Sequence, residues 1–147
     1  MTRHYYQVST VMLKRIIAFD YGKSRIGVAS GQTLTKTASP LTTIRSLNGE
    51  PNWEEIQKVI NKWSPDIIVV GLPLDMNEEE TDSTKYAKKF GEDVNNRFNI
   101  SVSFIDEKLS TREARWRLEN MTKKTARHIK VDAIAACIIL ETWLSEQ

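Results

Sequence analysis

The sequence has one cysteine, Cys137, so no internal disulfide can staple the fold. It lies in the apolar run Ala135, Ala136, Cys137, Ile138, Ile139, where it reads as core packing and fits a reducing cytoplasm. No apolar run approaches the roughly 20 residues needed to span a bilayer. Residues 1–11 lack the charged start, apolar middle and small-residue cleavage site of a secretory signal, so neither membrane insertion nor export is expected. The two histidines, His4 and His128, are too isolated for a zinc site. Repeats, low-complexity tracts and Gly/Ser linkers are missing too, and nothing marks a second domain.

What is present is enough for one core. With 147 residues, 40% of them hydrophobic, and four Trp, the chain has the size and composition of one ordinary folded domain. The expected layout is a single domain over 12–147, preceded by an extension over 1–11 that has no periodicity. The net charge of +2 is unevenly spread. Between 108 and 130, Lys108, Arg112, Arg115, Arg117, Lys123, Lys124, Arg127 and Lys130 face only Glu113 and Glu119, whereas acids dominate from Glu50 to Asp93. A basic stretch beside an acidic site suits a polyanion, because Lys and Arg neutralise phosphates. The same run also reads as a solvated helix surface.

The apolar run at 14–20, the turn Tyr21-Gly22-Lys23-Ser24 and the return at 25–29 predict a hairpin. A third strand is expected over 41–45, with a loop containing Gly31 before it. Asn52 with Glu55 three residues on predicts a helix start, and Ile56, Val59, Ile60 and Trp63 follow the helical period before Ser64 and Pro65 end it. Ile67, Ile68, Val69 and Val70 are apolar on both alternating faces, as in a strand covered on both sides, with Gly71 as its stop and Gly71-Leu72-Pro73 as a loop after it that could border a substrate groove. Tyr86, Phe90, Val94 and Phe98 predict a second helix over 84–98, and 100–105 a fifth strand. Ser110 and Glu113 suggest a capping box for a short helix to 118; Val131, Ile134, Ala135 and Ile138 define a last helix reaching the terminus. The order βββαβαβαα describes an α/β fold of the RNase H-like kind, with a mixed five-stranded sheet and helices packed on it, though the order alone is compatible with other α/β sheets.

The chemistry must come from the acids. Asp20 ends the first strand beside a glycine turn, at the carboxyl edge of the sheet where ligands bind. Asp106 and Glu107 end the fifth strand at the same edge. Neighbouring residues point oppositely, so one of them faces Asp20, and the reading here favours Glu107. Asp132, among Ala133, Ala135 and Ala136, has little bulk around it and can join them. Three converging carboxylates repel one another until a divalent cation intervenes, and oxygen-only donors suit Mg²⁺ or Mn²⁺. Such ions promote phosphodiester cleavage without a side-chain nucleophile. Taken singly, each acid has an ordinary reading: a turn residue at Asp20, a strand end at Asp106, a surface charge at Glu107, a helix N-terminus at Asp132.

Four segments carry a resemblance to the YqgF/RuvX family of RNase H-like proteins. They are Ala18-Phe19-Asp20-Tyr21-Gly22 continuing to Arg25-Ile26-Gly27-Val28-Ala29; Val70-Gly71-Leu72-Pro73; Asp106-Glu107-Lys108-Leu109-Ser110-Thr111; and Val131-Asp132-Ala133-Ile134-Ala135-Ala136. Together they extend over nearly the whole chain. The resemblance implies that Asp20, Glu107 and Asp132 form the acidic site of a nuclease maturing the 5′ end of 16S rRNA. Holliday junction cleavage and a non-catalytic nucleic-acid-binding module are the alternatives. Gly22, Lys23, Arg25, Gly71, Leu72, Pro73, Lys108, Arg112 and Lys124 are the expected substrate-side residues, with structured RNA or branched DNA as partner and a monomer as the default state. Two departures stand out: Lys108 where the family usually has Arg, which loses bidentate phosphate recognition, and Asn77-Glu78-Glu79-Glu80 in place of a glycine-containing loop. A phosphotransferase of the actin and sugar-kinase type also opens with a glycine turn after the first strand, but such enzymes close two domains around the nucleotide.

Overall fold

The computed structural model describes residues 13–107, 116–117, 119–121 and 131–147. The extension expected over 1–11, most of the helix expected over 110–118, and Lys108, Arg112 and Lys124 lie outside the described residues.

The elements are β1 (Arg15–Tyr21), β2 (Arg25–Gln32), β3 (Thr37–Leu47), β4 (Glu50–Pro51), α1 (Trp53–Trp63), β5 (Ile67–Pro73), α2 (Asp82–Phe98), β6 (Ser101–Glu107) and α3 (Val131–Ser145). They form one mixed sheet in the order β4-β3-β2-β1-β5-β6. β1, β2 and β3 make an antiparallel meander, while β5 pairs in parallel with both β1 and β6. Among the described residues, no helix is long and apolar enough to cross a membrane.

The two faces of the sheet carry separate cores. Ile17 and Phe19 of β1, Ile68, Val70 and Leu72 of β5, and Ile26 and Val28 of β2 pack against Ile56 and Ile60 of α1 and Ala87, Phe90 and Val94 of α2. On the other face, Ile16, Ala18, Ala29, Val69 and Ile105 meet Ala136, Cys137, Ile139, Leu140, Trp143 and Leu144 of α3. Each fully buried side chain of this size stabilises by about 1.5–3 kcal/mol, so both layers are needed to hold the central strands.

Local chemistry sets the helix ends. The Asn52 side chain accepts from the Glu55 amide at the start of α1, and Ser64 ends it in the left-handed conformation at φ 44°. Thr81 and Thr84 form a reciprocal capping box on α2, and the Thr84 hydroxyl also donates to the Pro73 carbonyl, tying α2 to the end of β5. α3 is not the one-sided helix its apolar seam suggested. Ile134, Ala135 and Ile138, on the side away from the sheet, are buried too, beside Met121 and Val131.

Several strands run longer than expected, and Gly31 lies inside β2 rather than in a loop. The sixth strand, β4, folds back on β3 through Asn48 and Gly49, at φ 51° and 81°. A two-residue loop with positive φ at both positions matches the twist of a hairpin, and Asn-Gly is its usual sequence. The largest correction concerns Gly71-Leu72-Pro73, expected as a loop. They continue β5 in register with Ile105, Asp106 and Glu107 of β6. Leu72 is buried in the core with Phe19 and Val70.

Candidate active site

Side chains alternate along a strand, so Asp20 follows Ile16 and Ala18 onto the α3 face at the carboxyl end of β1. Two glycines shape the space around it. In register beside Asp20 on β2 is Gly27, and a Cβ there would lie 1.8 Å from the Asp132 carbonyl oxygen. The first turn of α3 therefore rests on bare backbone, and this brings Asp132 over the sheet next to Asp20. On the other side, β6 is two strands from β1, about 10 Å at ordinary strand spacing. Between them lies Gly71 of β5, where a Cβ would stand 3.0 Å from Glu107 Oε2 and 2.6 Å from Ile139 Cδ1. The missing side chain leaves room for Glu107 to reach across.

Asp20 and Glu107 share a hydrogen bond. Burial holds the Asp20 carboxyl well above its ordinary range, and the charges of Glu107 and Asp132 push it further up, as does the bond to Glu107. Burial also raises Glu107, while its bond with Asp20 acts in the opposite sense. Two carboxyls held this close, with a third beside them, each keep their proton more tightly than an isolated acid does. Asp106, the other candidate at this strand end, is exposed. Asp132 is partnered by Arg25 from the start of β2, with Nε 2.9 Å from Oδ2.

A match to the RuvX Holliday junction resolvase model runs over residues 14–146. The chain belongs to the RuvX family. A relative from Francisella tularensis subsp. novicida, named "Putative pre-16S rRNA nuclease", is 56% identical over 135 residues, covering 92% of this chain and 99% of its own. One of the same name from Francisella philomiragia is 55% identical over the same coverage. Among solved structures, T. thermophilus RuvC in complex with a Holliday junction substrate superposes with a TM-score of 0.52 at 12% identity, covering 90% of this chain and 94% of that one. The fowlpox virus Holliday junction resolvase gives 0.50 at 15% identity, covering 90% and 99%. The RuvX chain thus has the RNase H-like fold of these resolvases.

The fold brings Asp20, Glu107, Asp132, Arg25 and Gly71 together at one sheet edge. Gly71 lies beneath the acids rather than in a groove loop, and Pro73 closes β5 opposite Glu107. Gly22 is a turn residue whose Cβ would lie 2.6 Å from the Arg25 carbonyl oxygen. Lys23 turns to the opposite face, with its ammonium 4.7 Å from the centre of the Tyr86 ring. Sequence reasoning missed the part played by Gly27, which depends on its register beside Asp20. It also missed Tyr86, whose helical spacing suggested a core position but which is 43% exposed.

Proposed function

We propose that this chain is a cytoplasmic nuclease that cuts phosphodiester bonds with Mg²⁺ or Mn²⁺ held by Asp20, Glu107 and Asp132, and that its substrate is the 5′ end of pre-16S rRNA. The observation that carries the reading is the convergence of three acids at one sheet edge, with Asp20 at the end of β1, Asp132 seated over Gly27 and Glu107 reaching across Gly71. The donor set is all oxygen and its charges repel, which fits a hard divalent cation. Among the described residues no three His, Cys, Asp or Glu side chains stand ready as a ligand set, and Asp132 is turned to Arg25. Cation binding therefore requires Asp132 to exchange its partner. When bound, the ion would supply charge neutralisation at the scissile phosphate and a more acidic water.

The protein's own groups do the rest. Burial would keep Asp20 from ionising readily until a positive charge stood beside it, and Gly71 leaves room for Glu107 to turn inward. Arg25, released from Asp132, offers a guanidinium to a phosphate oxygen a few ångströms from the acids.

RNA is preferred as substrate because the relatives at 55–56% identity are named for pre-16S rRNA. A second reading, Holliday junction cleavage, draws on the description of the family and on the fold shared with junction resolvases. The test compares cleavage of pre-16S rRNA and a four-way junction by wild type and Asp20→Asn, with Mn²⁺ and with a chelator. Wild type should cut the rRNA only with metal, and Asp20→Asn should bind it with little change while losing turnover. Equal turnover by the variant would refute the site, and preferential cutting of the junction would reverse the substrate order.

A further inference from the structure

A cavity of about 640 Å³ opens on the opposite face of the same sheet edge, lined by Tyr21, Lys23, Gly49, Glu50, Tyr86, Lys89 and Asp93 among others. Its walls are the turn between β1 and β2, the β3–β4 hairpin, and the middle turns of α2. They are tied together before any ligand arrives. The Tyr21 hydroxyl donates to the Gly49 carbonyl at 2.8 Å, the Gly49 amide to the Lys23 carbonyl at 3.1 Å, and the Ser46 amide to the Ser24 carbonyl at 2.9 Å. The floor is aromatic. Phe90 lies 5.0 Å from Tyr21 and 5.8 Å from Trp53 between ring centres.

The polar groups of the lining decide what fits. Two cations, Lys23 and Lys89, are balanced by two carboxylates, Glu50 and Asp93, so the interior is not a general polyanion patch. One Glu50 oxygen is already engaged by the Trp53 indole N–H at 3.0 Å. Half-buried Asp93 offers acceptors. A flat, uncharged group with both donors and acceptors matches this lining, and an exposed Tyr86 ring offers it a stacking face. A nucleobase has those properties.

We propose that this cavity receives one unpaired nucleobase of the substrate strand within a few nucleotides of the cut, stacked on Tyr86, with Lys23 and Lys89 against the flanking phosphates. Lys23 is three residues from Asp20, and its ammonium now covers the Tyr86 ring. An arriving base takes that ring face and frees the ammonium for its own phosphate, where a charge-assisted bond is stronger. The proposal deepens the nuclease reading and rests on it for the substrate.

The test uses short single-stranded RNA carrying one fluorescent purine analogue, titrated into the full chain. The Asp20→Asn background removes cleavage. Stacking should quench the analogue, Tyr86→Ala should abolish quenching and weaken binding about ten-fold, and Tyr86→Phe should restore both. Tyr86 is exposed, so its loss leaves the core intact. Unchanged quenching and affinity in Tyr86→Ala, or no binding by the parent chain, would overturn the pocket. Tyr86-dependent quenching in a chain with no Asp20-dependent turnover would uphold the pocket and sink the nuclease reading instead.

Discussion

The carbonyl oxygen of Asp132 occupies the space that a side chain on Gly27 would need, 1.8 Å from where its Cβ would sit. Backbone meets backbone there, and no rotamer change can relieve an added methyl. Gly27→Ala must therefore lift the start of α3 off the sheet. The expected destabilisation is at or above the upper end of the roughly 1–3 kcal/mol typical of overpacking. Thermal denaturation measures it. Gly71→Ala is the contrasting case, because the nearest obstacle is the tip of Ile139 and the next is the Glu107 carboxylate. It should fold with a smaller loss and cut poorly, and full activity in a folded Gly71→Ala protein would contradict the placement of Glu107.

Asp20 and Glu107 both hold protons more tightly in the folded chain than in the unfolded one. Below their ordinary values of 3.8 and 4.5 this difference contributes its full stability. As pH rises through that range the unfolded chain ionises first, and the contribution is lost until the folded pair ionises too. In chelator, raising the pH through 3.8 and 4.5 and beyond should thus lower the melting temperature more steeply for wild type than for Asp20→Asn. A parallel pair of melting curves across that interval would remove the basis for the shift.

Arg25 and Asp132 form a partly exposed pair, so their mutual stabilisation is at most about 1 kcal/mol. Arg25→Gln should cost little in folding, yet it removes a cation that competes for the Asp132 carboxylate. Calorimetric titration should show Mn²⁺ binding a few-fold more tightly. Weaker binding would mean that Arg25 assists the ion rather than opposes it.

Cys137 is buried in the core against the sheet, and burial first, then the charge of Glu141, raise its thiol to about 11. Thiolate is scarce at neutral pH and access is closed. A disulfide reagent should leave the native protein untouched and react with one equivalent in denaturant. Rapid labelling under native conditions would show that α3 opens locally.

Much of this was legible from residue patterns, and the failures have physical causes. Asn52, Glu55 and the spacing of Ile56 and Ile60 announced α1 because capping and one-sided burial are local. β5 runs longer than its apolar residues suggest, because a glycine ordinarily weakens a strand, whereas Gly71 stays in β5 and leaves room for the Glu107 carboxylate to pass over it. Asn48-Gly49 carried a hairpin signal that the short partner strand concealed. The acids were readable as strand ends and from the family segments. Their closeness depends on register across three strands and on a helix distant in sequence, which one-dimensional spacing cannot supply.

Asp20 and Tyr21 are consecutive, so one faces α3 and the other faces α1 and α2. A polymer touching both must wrap the rim of the sheet, turning sharply within the span of a few nucleotides. A duplex, stiff over about 150 base pairs, resists such a fold. Gaps, bulges and frayed ends bend there at little cost, so the stiffness of the target would itself select where this protein acts.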